Sequence, residues 1–152
     1  WTSYRLMAED TVDKAIEVCG LPKRKCVTKK FRIHGYRKNP DLTDHMYVYG
    51  SDEPKILRLI EQEPALGEKL SQKFGYTLAE VVWAVREEMA ITLEDVLARR
   101  VRMLFVDARE AMAAAPKAAA IMARELGRDQ AWIDEQVKSF TDLAKNYIFE
   151  QK

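Results

Sequence analysis

The stretch TLAEVVWAVREEMAITLEDVLARRVRMLF, from Thr77 to Phe105, carries two helix-start signals with an apolar stripe behind each. Thr77 precedes Glu80 by three residues, which is the spacing of a capping box, and Thr92 precedes Asp95 in the same way. The first stripe, at helical spacing, consists of Leu78, Val81, Val82, Val85 and Met89. The second consists of Leu93, Val96, Leu97, Val101 and Leu104. The stretch therefore predicts two helices that meet at a short corner and share an apolar seam.

Helices are also predicted before this pair. Apolar spacing favours a helix from Thr2 to Val18, and Gly20 followed by Pro22 is typical of a helix end. Another helix is predicted to start at Glu53. Between these helices, partial alternation predicts a short strand over residues 28–34, which would pair with MYVY at residues 46–49 in a small β-hairpin.

Turn and capping residues divide the remainder of the chain. A break is predicted over residues 105–107, and Pro116 is predicted to mark a boundary because proline removes a hydrogen bond from a helix interior. A following helix would end at Leu126 with Gly127 as its cap. A last helix, capped by Asp129, carries the stripe Ile133, Val137, Phe140, Ala144 and Tyr147. In the connector before Thr77, Gly75 is predicted to adopt a backbone angle that other residues avoid.

Length and charge limit the class of protein. The 152 residues suit one domain with a substantial core. Lys plus Arg total 25 and Asp plus Glu total 24, which argues against a dedicated nucleic-acid-binding protein because such proteins carry a basic excess. No apolar run reaches the roughly 18 residues that a membrane-spanning helix needs.

The cysteines and histidines do not predict a metal site. Cys19 and Cys26 suit a reducing compartment, and their spacing to His34 and His45 does not match a zinc module. The isolated glycines form neither a dinucleotide-binding fingerprint nor a phosphate loop. No nucleophile, base and acid are grouped as in a hydrolytic site. We therefore predict no catalytic residue and no metal ligand, and we expect the chain alone to be inactive.

Two sets of basic residues leave alternatives open. Residues 23–38 are rich in Lys and Arg, which is typical of a solvated loop but also of a surface that contacts phosphates or membrane headgroups. Arg99 and Arg100 follow the second capping signal, and Arg100 lies at the edge of the buried stripe. A structural ion pair is favoured over a substrate-phosphate contact for Arg100, with the candidate partners Glu87, Glu88 and Asp107.

Three segments resemble one known family. EVVWAVREEMA followed by TLEDVLARRVRMLFVDAR resembles the C-terminal helical domain of the FAD-dependent (aerobic) glycerol-3-phosphate dehydrogenases. WTSYRLMAEDTVDKA, from Trp1 to Ala15, is similar to the stretch that leaves the flavin domain of that family, and PKAAAIMARELG is similar to its next helix. The likeness is weakest over residues 23–50 and after Asp129. Two departures are Ser3, where the family frequently has threonine, and Ile91, where an arginine is expected.

The resemblance and the helical patterns together predict a mainly α fold, a multi-helix orthogonal bundle with at most one small β-hairpin. We expect residues 1–20 to form a connecting helix from a flavin domain, residues 21–52 to form a linker with the hairpin, and residues 53–152 to form the helical C-terminal domain. A start without methionine adds to the expectation that the chain is part of a longer protein.

The resemblance implies a role as a non-catalytic cap or scaffold in a flavoprotein oxidoreductase of glycerol metabolism. That enzyme would oxidise sn-glycerol 3-phosphate to dihydroxyacetone phosphate by hydride transfer to FAD, and then reduce quinone. A related oxidase uses oxygen, so the electron acceptor stays open. In the family, the helix that corresponds to the one opening at Trp1 and Thr2 points its amino end at the flavin, so these two residues are candidates for cofactor binding in the complete enzyme.

The partners that the resemblance implies are the chain's own N-terminal flavin domain, a second copy in a homodimer, and a membrane surface. The predicted location is cytoplasmic, with the complete enzyme peripheral at the inner face of the membrane. The alternative from a different class is a freestanding helical module that binds another protein or an anionic membrane.

Overall fold

The structure, a computed structural model, describes residues 3–149 and is mainly helical. The chain divides into two units, an N-terminal unit that ends at Lys38 and a C-terminal unit that begins at Asn39. The α-helices are α1 (Tyr4–Val18), α2 (Glu53–Gln62), α3 (Leu78–Glu87), α4 (Met103–Val106), α5 (Ala108–Leu126) and α6 (Gln130–Lys145). Two 3₁₀ helices (His45–Asp52 and Pro64–Gly67) and a π-helical segment (Asp95–Arg100) complete the regular structure of the described residues.

The N-terminal unit consists of α1 and an irregular segment that follows it. α1 ends as predicted, with Gly20 in the left-handed conformation at a φ of 63°. The N–H of Leu21 donates to the carbonyl of Ile16, and that of Gly20 donates to the carbonyl of Glu17, which is the Schellman pattern. None of the residues of α1 is buried.

The predicted β-hairpin is wrong. Within residues 3–149 the β pairing is limited to an isolated bridge between Lys69 and Thr77. Residues 46–49 lie in the His45–Asp52 helix because the Asp44 carboxylate accepts a hydrogen bond from the N–H of Met46 at 2.9 Å and caps that helix. A local capping bond therefore outweighs the β preference of MYVY, for which residues 28–34 form no partner strand.

The core of the C-terminal unit forms around the stretch that was predicted to organise it. All five residues of the second apolar stripe are buried, as are Leu78, Val81 and Val82 of the first. Met89 is an exception, because α3 ends at Glu87 and Met89 takes a left-handed φ of 55° with 84% of its surface exposed. The predicted stripe therefore extends two residues beyond the end of α3.

The second capping signal is confirmed by hydrogen bonds at the corner. The Asp95 carboxylate accepts from the N–H of Thr92 at 2.9 Å, and the N–H of Asp95 donates to the Thr92 hydroxyl at 3.2 Å. The segment that follows winds as a π-helix, with the N–H of Val101 donating to the carbonyl of Val96. No pattern in the sequence predicted this wider turn.

α5 is continuous through Pro116, so the predicted boundary there is wrong. Proline has no N–H, so the carbonyl four residues before Pro116 lacks its helical donor. Pro116 lies on the exposed side of α5, where water can donate to that carbonyl instead. The break at residues 105–107 is confirmed, because the Asp107 side chain accepts hydrogen bonds from the N–H groups of Arg109 and Glu110 and starts α5. Gly127 ends the helix as predicted, with a φ of 64°.

α5 is the helix on which α3, α4 and α6 pack. Its packed side consists almost entirely of alanines, which allow the neighbouring helices to approach closely: Ala108, Ala111, Ala114, Ala115, Ala118, Ala119 and Ala123. α6 starts at its predicted Asp129 cap, whose side chain accepts from the N–H of Trp132. Phe140 and Ala144 of the α6 stripe are buried, and Tyr147 contacts the Phe105 ring edge-on.

Candidate functional site

The two predicted cofactor-binding residues, Trp1 and Thr2, lie outside the described residues. The features on which a function can be built are therefore the surface of the N-terminal unit and a polar cluster in the C-terminal unit.

The N-terminal unit exposes apolar side chains that a folded protein normally covers. Those of α1 are between 51% and 74% exposed: Tyr4, Leu6, Met7, Val12 and Val18. The irregular segment adds Leu21, Val27, Phe31, Ile33 and Tyr36. No residue between Ser3 and Lys38 is buried. The surface therefore has the composition of an interface but has no partner within its own unit.

A groove of about 540 Å³ runs between α1 and residues 24–28. Tyr4, Ala8 and Val12 contribute to its lining from α1. Arg5 links the two sides, because its guanidinium pairs with Glu9 at 2.6 Å and donates to the Thr28 hydroxyl at 3.3 Å. The groove is thus an apolar depression with a charged edge.

The basic segment of residues 23–38 is exposed along most of its length. The Arg32 guanidinium lies over the Tyr36 ring at 5.0 Å from its centre. This contact joins two residues of the same segment. The solvated loop and the phosphate-binding surface both stay predictions.

A carboxylate is buried in the C-terminal unit at Glu80, which sequence reasoning placed off the apolar face of α3. Its side chain has no exposed surface. It accepts hydrogen bonds from the N–H of Thr77 at 2.7 Å and from the Tyr49 hydroxyl at 3.1 Å, and its Oε2 lies 3.1 Å from Nε2 of His45. The contact with Thr77 confirms the predicted capping box. The contacts with Tyr49 and His45 join the His45–Asp52 helix to α3.

His45 lies between two carboxylates. Its Nε2 faces Glu80, and its Nδ1 lies 3.3 Å from Oδ1 of Asp44. The hydrogen bond with Glu80, opposed by partial burial, raises the pKa of His45 above its usual value. Tyr76 contacts the imidazole edge-on, with ring centres 5.3 Å apart. His45 is therefore held in one orientation and biased toward its charged form.

Gly75 makes room for this histidine. A Cβ atom at Gly75 would lie 2.6 Å from Nδ1 and 2.8 Å from Cε1 of His45. The φ of Gly75 is not positive, so the predicted reason for this glycine is wrong. The residue is required by the close approach of the imidazole ring and not by an unusual backbone angle.

Burial also affects the two tyrosines beside Glu80. Desolvation, reinforced by the Glu80 charge, raises the pKa of the Tyr49 hydroxyl, and the same causes raise that of Tyr76. Both hydroxyls therefore stay protonated, and Tyr49 acts as a donor to Glu80. The cluster stabilises a buried charge and contains no side chain poised as a nucleophile.

Arg100 forms the predicted structural ion pair. Its Nε lies 3.2 Å from Oε2 of Glu88, and its guanidinium also donates to the Glu88 carbonyl. Burial raises the pKa of Glu88, an effect that Arg100 opposes. Arg99 pairs with Glu94 and Asp95 at the surface. These pairs give both arginines a structural role at the corner after α3.

Within residues 3–149, no group of three His, Cys, Asp or Glu side chains is arranged to hold a metal ion. Cys19 and Cys26 are free thiols. The helices of the same residues include none that is long and apolar enough to cross a bilayer.

Comparison with known proteins identifies relatives along the whole chain. Residues 26–133 match the family model for the C-terminal domain of alpha-glycerophosphate oxidase. The chain is 32% identical to a probable mitochondrial glycerol-3-phosphate dehydrogenase of Caenorhabditis elegans, over 97% of this chain and 23% of that protein. It is 30% identical to the corresponding probable enzyme of Dictyostelium discoideum, over 97% of this chain and 25% of that protein.

A third relative is the mitochondrial glycerol-3-phosphate dehydrogenase of Mesocricetus auratus, which is 30% identical over 98% of this chain and 23% of that protein. The chain thus spans about a quarter of the length of the relatives it matches. No solved structure matches it significantly.

The predicted cytoplasmic location is wrong, because these relatives are named as mitochondrial enzymes. Cys19 and Cys26 suited a reducing compartment, but free cysteines do not distinguish one reducing compartment from another.

Proposed function

The chain belongs to the family of the C-terminal domain of alpha-glycerophosphate oxidase, and from this premise we propose that it is the helical cap of an FAD-dependent glycerol-3-phosphate dehydrogenase. The complete enzyme would oxidise sn-glycerol 3-phosphate to dihydroxyacetone phosphate and pass the electrons to quinone. The names of the relatives support glycerol 3-phosphate as the substrate and dehydrogenation as the reaction. The cap itself would be non-catalytic.

The observation that carries the proposal is the uncovered surface of the N-terminal unit. A segment of this length with no buried residue cannot offset the entropy of ordering its backbone. It therefore needs a surface to fold against, and its exposed apolar residues are the means of binding one. A flavin domain preceding it in the same polypeptide would supply that surface.

This arrangement assigns a role to each part of the chain. Residues 1–20 would form the connecting helix that leaves the flavin domain. Residues 21–52 would form the linker between that helix and the helical domain, which residues 53–152 would form. FAD would be bound by the flavin domain, with the backbone amides at Trp1 and Thr2 stabilising negative charge on the reduced ring. Homodimer and membrane contacts of the complete enzyme stay predictions.

The test uses the full-length enzyme with Val12→Glu, which places a charge on a side chain that lines the groove of α1 and is 56% exposed. The matched control is Val106→Glu, at a valine that is 63% exposed in the C-terminal unit. We measure glycerol-3-phosphate-dependent dye reduction and bound flavin. Burying an unpaired carboxylate in a domain contact costs several kcal/mol, so we expect Val12→Glu to lower activity or flavin content while the control retains both.

Full retention of activity and flavin by Val12→Glu would contradict the cap proposal. The hypothesis of a freestanding interaction module would then be favoured. It is distinguished by adding the purified flavin domain to this chain, because the cap binds the flavin domain in trans and an unrelated module does not.

A further inference from the structure

We propose that the contact between His45 and Glu80 is a pH-sensitive latch that fastens the His45–Asp52 helix to α3 and loosens as the pH rises. The inference is independent of the proposed function, because both parts of the latch lie in the C-terminal unit. It concerns the first helical segment after the irregular chain that ends the N-terminal unit.

The geometry gives the latch one movable and one fixed side. Glu80 is fixed, because its side chain is fully buried and because α3, which carries it, packs on α5. The His45 side chain is 31% exposed, so water and protons reach it directly. Tyr49 and His45 both join the His45–Asp52 helix to Glu80. Loss of one of these contacts therefore weakens the polar attachment of the helix.

The two carboxylates explain why the charge of the imidazole matters. Both ring nitrogens face a carboxylate oxygen, Nε2 at 3.1 Å and Nδ1 at 3.3 Å. An imidazolium donates from both nitrogens, whereas a neutral ring has one N–H and presents a lone pair to the other carboxylate. Deprotonation thus weakens one of the two contacts and leaves the buried Glu80 without its positive partner.

The charged and titratable groups around the imidazole come from every neighbouring element. Asp44 precedes the His45–Asp52 helix, Tyr49 lies on it, and Glu80 comes from α3. The connector before α3 contributes Lys69, which opposes the charge on the ring, and Tyr76, which stays neutral. Farther from the ring, Glu88 acts on Tyr49 and Arg102 acts on Tyr76. The nearest groups are the two carboxylates, so the balance favours the charged ring.

The direction of the pH effect follows from the raised pKa of His45 in the folded state. A group whose pKa is raised on folding stabilises the fold fully below its unfolded value, about 6.5 for histidine. That stabilisation is lost as the pH rises through the folded pKa. The latch is therefore tightest in mildly acidic solution and loosened in alkaline solution.

The test exploits the fact that the chain has only two histidines. The variant His34→Gln leaves His45 as the sole imidazole, so its titration is read directly by NMR in a folded chain. Amide hydrogen exchange of residues 45–52 is measured at about pH 6 and about pH 9, each rate divided by the intrinsic rate at that pH. We expect the protection of these residues to fall about tenfold for each unit by which the pKa of His45 exceeds about 6.5.

The variant His45→Gln separates charge from hydrogen bonding, because its amide can donate to Glu80 but does not titrate. We expect its protection over residues 45–52 to be the same at both pH values, while His34→Gln behaves as the wild type. An unshifted His45 titration, or an equal pH effect in His45→Gln and wild type, would overturn the latch. Should His45→Gln fail to fold, the titration in His34→Gln decides alone.

Discussion

Gly75→Ala is the substitution whose effect follows most directly from the distances in the structure. The new Cβ would lie 2.6 Å from Nδ1 and 2.8 Å from Cε1 of His45, which is closer than unbonded atoms approach. The ring cannot rotate away without cost, since Glu80, Asp44 and Tyr76 hold it from three sides. We therefore expect alanine at this position to displace the imidazole from Glu80.

The magnitude combines two effects. Overpacking of a well-packed site costs about 1 to 3 kcal/mol of unfolding free energy. A hydrogen bond lost by a buried charged group costs a similar amount, but the displaced ring avoids part of the overpacking, so the two do not add fully. We expect Gly75→Ala to lower the free energy of unfolding by about 2 to 3 kcal/mol.

A double-mutant cycle tests the cause. His45→Ala removes the obstacle, so Gly75→Ala added to it should cost nothing and gain about 0.4 to 1 kcal/mol, because alanine restricts the unfolded chain. The coupling between the two positions should therefore exceed about 2 kcal/mol. His34→Ala is the control background, in which Gly75→Ala should cost as much as in the wild type.

The assay is urea unfolding of the wild type, the variants of the cycle and the two His34→Ala control proteins at about pH 6, where the latch is closed. Equal costs of Gly75→Ala in the presence and absence of His45 would refute the reasoning. The effect would then come from the backbone of the connector and not from contact with the imidazole ring.

Leu97→Ala should lower the free energy of unfolding by about 2 to 5 kcal/mol, because Leu97 is fully buried, whereas Leu57→Ala at a 43% exposed site should change it by less than about 1 kcal/mol. Similar losses at both sites in urea unfolding would contradict the position of the core. Pro116→Ala should raise the thermal midpoint, because a helix-interior proline costs about 3 kcal/mol and its stiffening of the unfolded chain recovers only about 1. Pro54→Ala in the first turn of α2 is the control and should leave the midpoint nearly unchanged.

Local signals in the sequence were reliable where a residue acts on its immediate neighbours. The caps at Thr92 and Asp129, the break over residues 105–107 and the helix end at Gly127 were all predicted and all formed. Each depends on a side chain or a backbone angle that satisfies amides or carbonyls within a few residues. Such contacts are encoded by spacing alone.

Predictions failed where a neighbouring cap, a turn of the chain or the packing of a distant segment overrode the preference of the residues themselves. MYVY has β preference, but without a partner strand it follows the Asp44 cap into a 3₁₀ helix. Pro116 is a helix breaker in isolation, but α3 and α6 pack along the alanines of α5 and keep that helix continuous. Met89 has the right spacing for α3, but the chain turns at the corner before it.

The sequence by itself determined the mainly α class, the central helical pair and the family resemblance, because periodicity, capping and motif all lie within short stretches of chain. Only the tertiary structure decided that Glu80 is buried and that His45 is its partner across 35 positions of sequence. Glu80 reads locally as an ordinary capping residue on the polar side of α3. Its burial depends on the His45–Asp52 helix covering that side, and such coverage is a property of how segments distant in sequence come together and not of either segment alone.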